Sequence, residues 1–151
     1  MGELQIVLGQ PSLAVAYGNK SIQLDMDYWR GYYVRGTGLC LTRECETGLV
    51  ALRQAIALQP ANAALQLNLC SVLVWNGLYE ASLPECTAAI QMGGDEVLAQ
   101  AYYLRSQAYK ALGNAAPAAA DLVMAKKLGF DVTQDVFQIV EPGSIPEGLL
   151  E

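Results

Sequence analysis

The strongest constraint on this chain is a period. Residues 63–96 read as two short amphipathic helices meeting at Asn76-Gly77. Moved back by 34 residues, the small, aliphatic and glycine positions of this stretch fall on counterparts in 29–62. Moved forward by 36, they fall on counterparts in 99–132. A fixed period of this size marks stacked helical units, each too small to bury its apolar face alone. The chain accordingly divides into a partial N-terminal unit at 1–28, complete units at 29–62, 63–96 and 99–132, and a C-terminal capping segment and tail at 133–151. The first unit lacks six residues at its start, so the protein either begins mid-unit or belongs to a longer chain.

Three columns recur with small side chains only: Gly36, Cys70 and Ser106; Gly48, Ser82 and Ala118; Ala55, Ala89 and Ala125. Small residues let two helices approach at the short end of the usual interaxial range of about 8–10 Å. Gly9, Gly77 and Gly113 occupy the turn between the two helices of a unit, where a left-handed residue ends the first helix at little cost. Arg43 breaks that column, so its turn should differ in shape or cost on the order of 1 kcal/mol.

In chain order, residues 1–8 read as the back half of a helix stopping before Gly9, and Pro11 suits the first turn of the next. That helix presents Leu13, Ala14, Tyr17, Ile22 and Leu24 at helical spacing, and Asp25-Met26-Asp27 closes it. Pro60 ends the second helix of the 29–62 unit. In the next unit Pro84 sits early in a helix, which points to Ser82 as a cap and Glu85 as the partner in a Ser-x-x-Glu capping box. Gly93-Gly94 and the extra Val97-Leu98 read as a looser joint before the last complete unit. Beyond it, Val136, Phe137, Ile139 and Val140 suit a segment covering the open end of the array, and Pro142-Gly143 stops it.

Composition removes whole classes of function. Apolar residues make up 53% and charged ones only 16%, the balance of a folded core and not of a disordered chain. A net charge of −6 with scattered Lys and Arg argues against nucleic acid as partner. No apolar run reaches the length of a membrane span, and no secretory leader is recognisable. Histidine is absent, which removes the commonest general base and transition-metal ligand together. Cys40, Cys45, Cys70 and Cys86 form no Cys-x-x-Cys pair, so they read as small buried thiols of a reducing compartment. Cytoplasmic is then the default location. Glu44 with Glu46, and Asp95 with Glu96, read as carboxylates favouring helix N-termini and not as acid–base pairs. Gly36-Thr37-Gly38 lacks the lysine of a phosphate loop and fits close helix packing. No catalytic residues, metal ligands or cofactor emerge.

Asn68-Leu69-Cys70, Gly77-Leu78-Tyr79 and Ala89-Ile90 follow one pattern. The run from Ala108 to Gly113, followed by Ala118 and Ala125, follows it too, as do Gly36, Gly48, Ala55, Ile56, Leu58 and Pro60. These resemble the tetratricopeptide repeat over about 1–132, in one register up to 96. The resemblance implies an all-α, right-handed superhelix of antiparallel helix pairs, the first helix of each pair lining a concave face. It also implies a non-enzymatic protein-interaction scaffold whose partner is a peptide or protein, though fold alone does not name that partner.

Projecting the first helices inward puts Arg30, Tyr33, Thr37, Leu67, Asn68, Ser71, Trp75, Tyr103, Gln107 and Lys110 near the groove. Asn68 falls where the family holds a ligand backbone with an amide that both donates and accepts. Trp75, Tyr33 and Tyr103 offer flat contact area at low entropic cost; the competing role for each is packing between neighbouring helices. The carboxylate clamp found in some members is not expected, because its places hold Tyr33, Thr37, Asn68, Gln100 and Leu104 and only Asn68 fits. Without Lys or Arg there, a bound carboxylate is poorly compensated. The alternative is structural: a segment of a longer superhelix, or a self-associating unit, motivated by Leu4, Ile6 and Leu8 in the incomplete first unit.

Overall fold

The computed structural model describes residues 10–131. Among them are seven helices: α1 (Pro11–Leu24), α2 (Trp29–Leu41), α3 (Cys45–Leu58), α4 (Ala63–Trp75), α5 (Tyr79–Met92), α6 (Asp95–Ala111) and α7 (Ala115–Lys127). No described residue lies in a strand, and the fold is all-α, made of tandem helix-turn-helix pairs. The readings placed on residues 1–9 and 132–151 fall outside the described residues. Two units divide the chain, the first holding α1–α3 and the second α4–α7.

One turn chemistry closes four of these helices. The N–H of Glu44, Leu78, Asn114 and Phe130 reaches back to the carbonyl of Leu39, Leu73, Tyr109 and Ala125, at 2.9, 2.9, 2.8 and 3.0 Å. The residue before each donor is left-handed: Arg43 at φ 69°, Gly77 at 74°, Gly113 at 77° and Gly129 at 87°. This is the Schellman closure, which satisfies carbonyls a helix end otherwise leaves bare. Arg43 therefore does not reshape its turn. It adopts the glycine conformation, so the departure from the column appears as backbone cost alone.

The other boundaries follow local chemistry. Pro11 occupies the first turn of α1, and α3 ends at Leu58, two residues before Pro60. Asn62 caps α4, its side-chain oxygen accepting from the N–H of Ala64 at 3.1 Å and of Leu65 at 3.3 Å. The expected capping box at Ser82 is absent. The closure at Gly77 starts α5 at Tyr79, so Ser82 and Pro84 both lie inside the helix. The Ser82 hydroxyl donates to the Tyr79 carbonyl at 2.7 Å, and the Glu85 carboxylate accepts from the Gln66 amide of α4. Val97 and Leu98 form no loose joint either; α6 begins at Asp95 and absorbs them.

In the first unit α2 packs against both α1 and α3, and glycines set both spacings. A Cβ on Gly36 would meet the Gly48 carbonyl oxygen at 2.7 Å and Leu52 Cγ at 2.8 Å; one on Gly48 would meet the Gly36 carbonyl at 2.6 Å. On the other side, a Cβ on Gly18 would lie 2.7 Å from the Gly31 carbonyl. The buried face of α1 is thus Ala14, Gly18 and Ser21, whereas Leu13 and Leu24, expected to face the core, are exposed. Backbone-to-backbone approach leaves no room for the larger side chains on that face.

In the second unit α4, α5 and α6 enclose a core of Leu67, Cys70, Val74, Cys86, Ala89, Ala101, Leu104 and Ala108. Cys70 and Cys86 form a disulfide across α4 and α5, Cα atoms 4.9 Å apart, and Cys40 and Cys45 form another across the turn between α2 and α3. Both pairings overturn the expectation of reduced thiols, and with it the reason for a cytoplasmic default. Cys-x-x-Cys spacing was the wrong test. Cys70 and Cys86, sixteen residues apart, face one another across the antiparallel pair of α4 and α5.

Gly48→Ala should cost about 1–3 kcal/mol, because the added methyl meets backbone that cannot move aside. Urea unfolding followed by circular dichroism checks this, the expected result being a lower midpoint with an unchanged slope.

Candidate functional site

The first helices of the second unit's two pairs, α4 and α6, pack side by side. Five of the ten candidate residues project from them with some exposure. Ser71 and Trp75 on α4, and Tyr103 and Gln107 on α6, are half-buried; Lys110 on α6 is exposed. Spacings of three and four residues place each set along one helix stripe.

The other five stand differently. Leu67 belongs to the core, and Asn68 is buried at 4% exposure. In the first unit Tyr33 and Thr37 on α2 are buried, while Arg30 is half-buried, its guanidinium 5.1 Å from the Trp29 ring. The Thr37 hydroxyl oxygen is buried without a hydrogen-bond partner. The five positions weighed for a carboxylate clamp, Tyr33, Thr37, Asn68, Gln100 and Leu104, are all buried.

Two aromatics divide their surface between stripe and packing. Trp75 lies against the α4–α6 core, and the Tyr103 ring stacks on Phe130, centroids 4.6 Å apart at 24°. Stacking fixes the Tyr103 ring and leaves it half-buried. An ordered flat surface loses little entropy when it meets a ligand.

The electrostatic centre of this unit lies elsewhere, at Arg105. Its Nε donates to Asp121 Oδ2 at 2.7 Å and its Nη2 to Oδ1 at 2.9 Å, a two-pronged pair joining α6 to α7. Nη1 donates to the Thr87 hydroxyl of α5 at 2.9 Å, and that hydroxyl donates to the Leu83 carbonyl at 2.8 Å. The rings of Tyr102 and Tyr109 flank the guanidinium at 5.5 and 5.9 Å. The Asp121 hydrogen bonds raise the Arg105 pKa above its ordinary value, against the opposing effect of burial. One cation therefore ties three helices together. Sequence reasoning missed this hub, although a lone carboxylate in the alanine-rich stretch 115–125 was a visible signal.

No group of three or more His, Cys, Asp or Glu side chains suited to a metal ion occurs among the described residues. Their helices include none long and apolar enough to cross a membrane. The arrangement offers a ridged polar and aromatic surface on a braced frame.

No family model matches the chain, and no curated protein matches it significantly. Solved structures do. The crystal structure of MamA, a helical-repeat protein of the tetratricopeptide type, superposes with a TM-score of 0.72 at 21% identity, covering 84% of this chain and 78% of that one. A second MamA crystal structure gives 0.68 at 19% identity over 83% of this chain and 73% of the other. A MamA RS-1 ArsTM double mutant gives 0.71 at 18% identity over 85% and 77%. At these identities the likeness shows the fold: a tandem helical repeat.

Asp121→Ala should destabilise the protein by about 1–3 kcal/mol, since it removes the counter-ion of a guanidinium that water still partly screens, whereas Asp121→Leu with Arg105→Met should recover most of the loss. Urea denaturation of the two variants beside the parent checks this. A raised Arg105 pKa stabilises the fold at every pH below the ordinary guanidinium value and is lost only above the raised one. Titration of Arg105 should therefore add no slope to stability against pH in ordinary buffers.

Proposed function

We infer that this protein is a non-enzymatic interaction scaffold that holds an extended or helical peptide against its first helices. The observation carrying this reading is the accessible stripe of Ser71, Trp75, Tyr103, Gln107 and Lys110 on adjacent α4 and α6. Its chemistry suits a peptide: two flat aromatic surfaces, a hydroxyl and an amide for backbone groups, and a single cation. Arg30 is the accessible candidate on α2 of the first unit, and Tyr33, Thr37, Leu67 and Asn68 are buried. The likeness to MamA supports a scaffold over an enzyme, and in this reading the stretches 29–62, 63–96 and 99–132 are the repeats.

A second reading, assembly into a longer array, is favoured by α7. Its outward face exposes Ala116, Ala119, Ala120 and Val123, the last at 63%, with Met124 beside it. A further helix fits such a small, apolar face.

Selection of displayed random peptides on the immobilised protein tests the first reading. Enriched peptides should share a motif and compete with one another, and Ser71→Arg or Gln107→Ala should weaken them at least tenfold with little change in melting temperature. Peptides that bind these variants as well as the parent would sink it. Trp75→Ala is a poorer probe, because Trp75 also packs on the core. For assembly, light scattering after size exclusion should show mass rising with loading, reversed by Val123→Glu.

A further inference from the structure

The two disulfides sit in opposite settings. Cys70 and Cys86 are wholly buried in the core between α4 and α5, beyond the reach of a solvent thiol. Cys40 and Cys45 bracket a surface turn, with Cys45 half-buried and Arg43 and Glu44 between them exposed. Theirs is also the only one of the four left-handed closures built without glycine. Its inner hydrogen bond is the longest of the set: Arg43 N–H to Cys40 carbonyl at 3.4 Å, against 3.1, 3.1 and 3.0 Å at Gly77, Gly113 and Gly129.

We propose that Cys40–Cys45 is a reversible redox clasp that holds the α2–α3 turn in a conformation Arg43 disfavours, while Cys70–Cys86 is a permanent staple. The bridged turn is the one whose backbone needs help, and a glycine in its place would remove that need. The local setting leaves room for the sulfur: a Cβ on Gly48 would lie 2.7 Å from Cys40 Sγ, so Gly48 keeps the place the bridge occupies. Opening the clasp needs a small thiol reductant. A dithiol's thiolate attacks the sulfur of half-buried Cys45, the S–S bond breaks, and Cys40 leaves as a thiolate that takes a proton from water. The reductant's second sulfur then displaces Cys45, which is protonated in turn. Two electrons pass to the protein, and the reductant departs as a cyclic disulfide. With the clasp open, Arg43 is free to leave the left-handed region and the α2–α3 joint loosens. The state of the first unit thereby follows the ambient thiol–disulfide balance, and the second unit does not.

The test is graded dithiothreitol on the folded, oxidised full-length chain, with alkylation of free thiols and peptide mass spectrometry of all four cysteines. Cys40 and Cys45 should be alkylated at reductant concentrations at least tenfold below those that open Cys70–Cys86. Arg43→Gly, whose turn stands unaided and keeps the sulfurs adjacent, should raise the concentration for half-reduction of the clasp about fivefold. Two pairs that open together, a Cys40–Cys45 pair that does not form in air, or an Arg43→Gly chain with an unchanged midpoint would each overturn the proposal.

Discussion

Everything described depends on how closely two antiparallel helices approach at one repeated contact. In the first unit that contact is Gly36 against Gly48 and Leu52; in the second it is Cys70 against Cys86. Leu52 follows Gly36 by the same sixteen residues that separate the cysteines, so the disulfide replaces a glycine–leucine contact at an equivalent place. Short spacing demands small side chains, and small hydroxyls there must be satisfied locally. The Ser82 and Ser106 hydroxyls each donate to the carbonyl three residues back in their own helix, at 2.7 and 2.6 Å. Each burial thus leaves no unmet donor.

Beyond that contact, the units are held by different means. The first relies on glycine-mediated backbone approach on both sides of α2. The second adds a covalent staple and the Arg105 hub, in which one guanidinium reaches α5 and α7 from α6. Removing either partner of a buried pair is costly, because the survivor loses both its counter-ion and water. The accessible stripe on α4 and α6 rests on this braced frame, with Trp75 packed on the core and Tyr103 stacked on Phe130.

The fold was legible because its signals are local and repeated. A glycine column predicted Gly77 and Gly113 in left-handed turns, and small columns predicted close helices at Gly36 and Gly48. What escaped depends on partners distant in sequence. Cys70 meets Cys86, Arg105 meets Asp121 and Gln66 meets Glu85 only once the helix pairs are formed. Helical periodicity also overstated α1, where Leu13 and Leu24 share an apolar stripe yet face outward, because Ala14 and Gly18 bring the helices too close to admit them. The same limit applies at the stripe: a projection places a side chain on a face, but neighbouring helices decide that Asn68 is covered and Ser71 is not.

The claim that one contact is repeated can be tested in α6 and α7, the helix pair without a bridge. Ser106 and Leu122 stand at the places of Cys70 and Cys86, and Arg105 already meets Asp121 one residue before each. Replacing both as Ser106→Cys with Leu122→Cys, then counting disulfides by non-reducing mass spectrometry, measures whether the approach recurs. Spontaneous closure within the chain, with the helical signal intact, is the predicted result. A folded variant whose new thiols stay free, or pair only between molecules, would contradict the account.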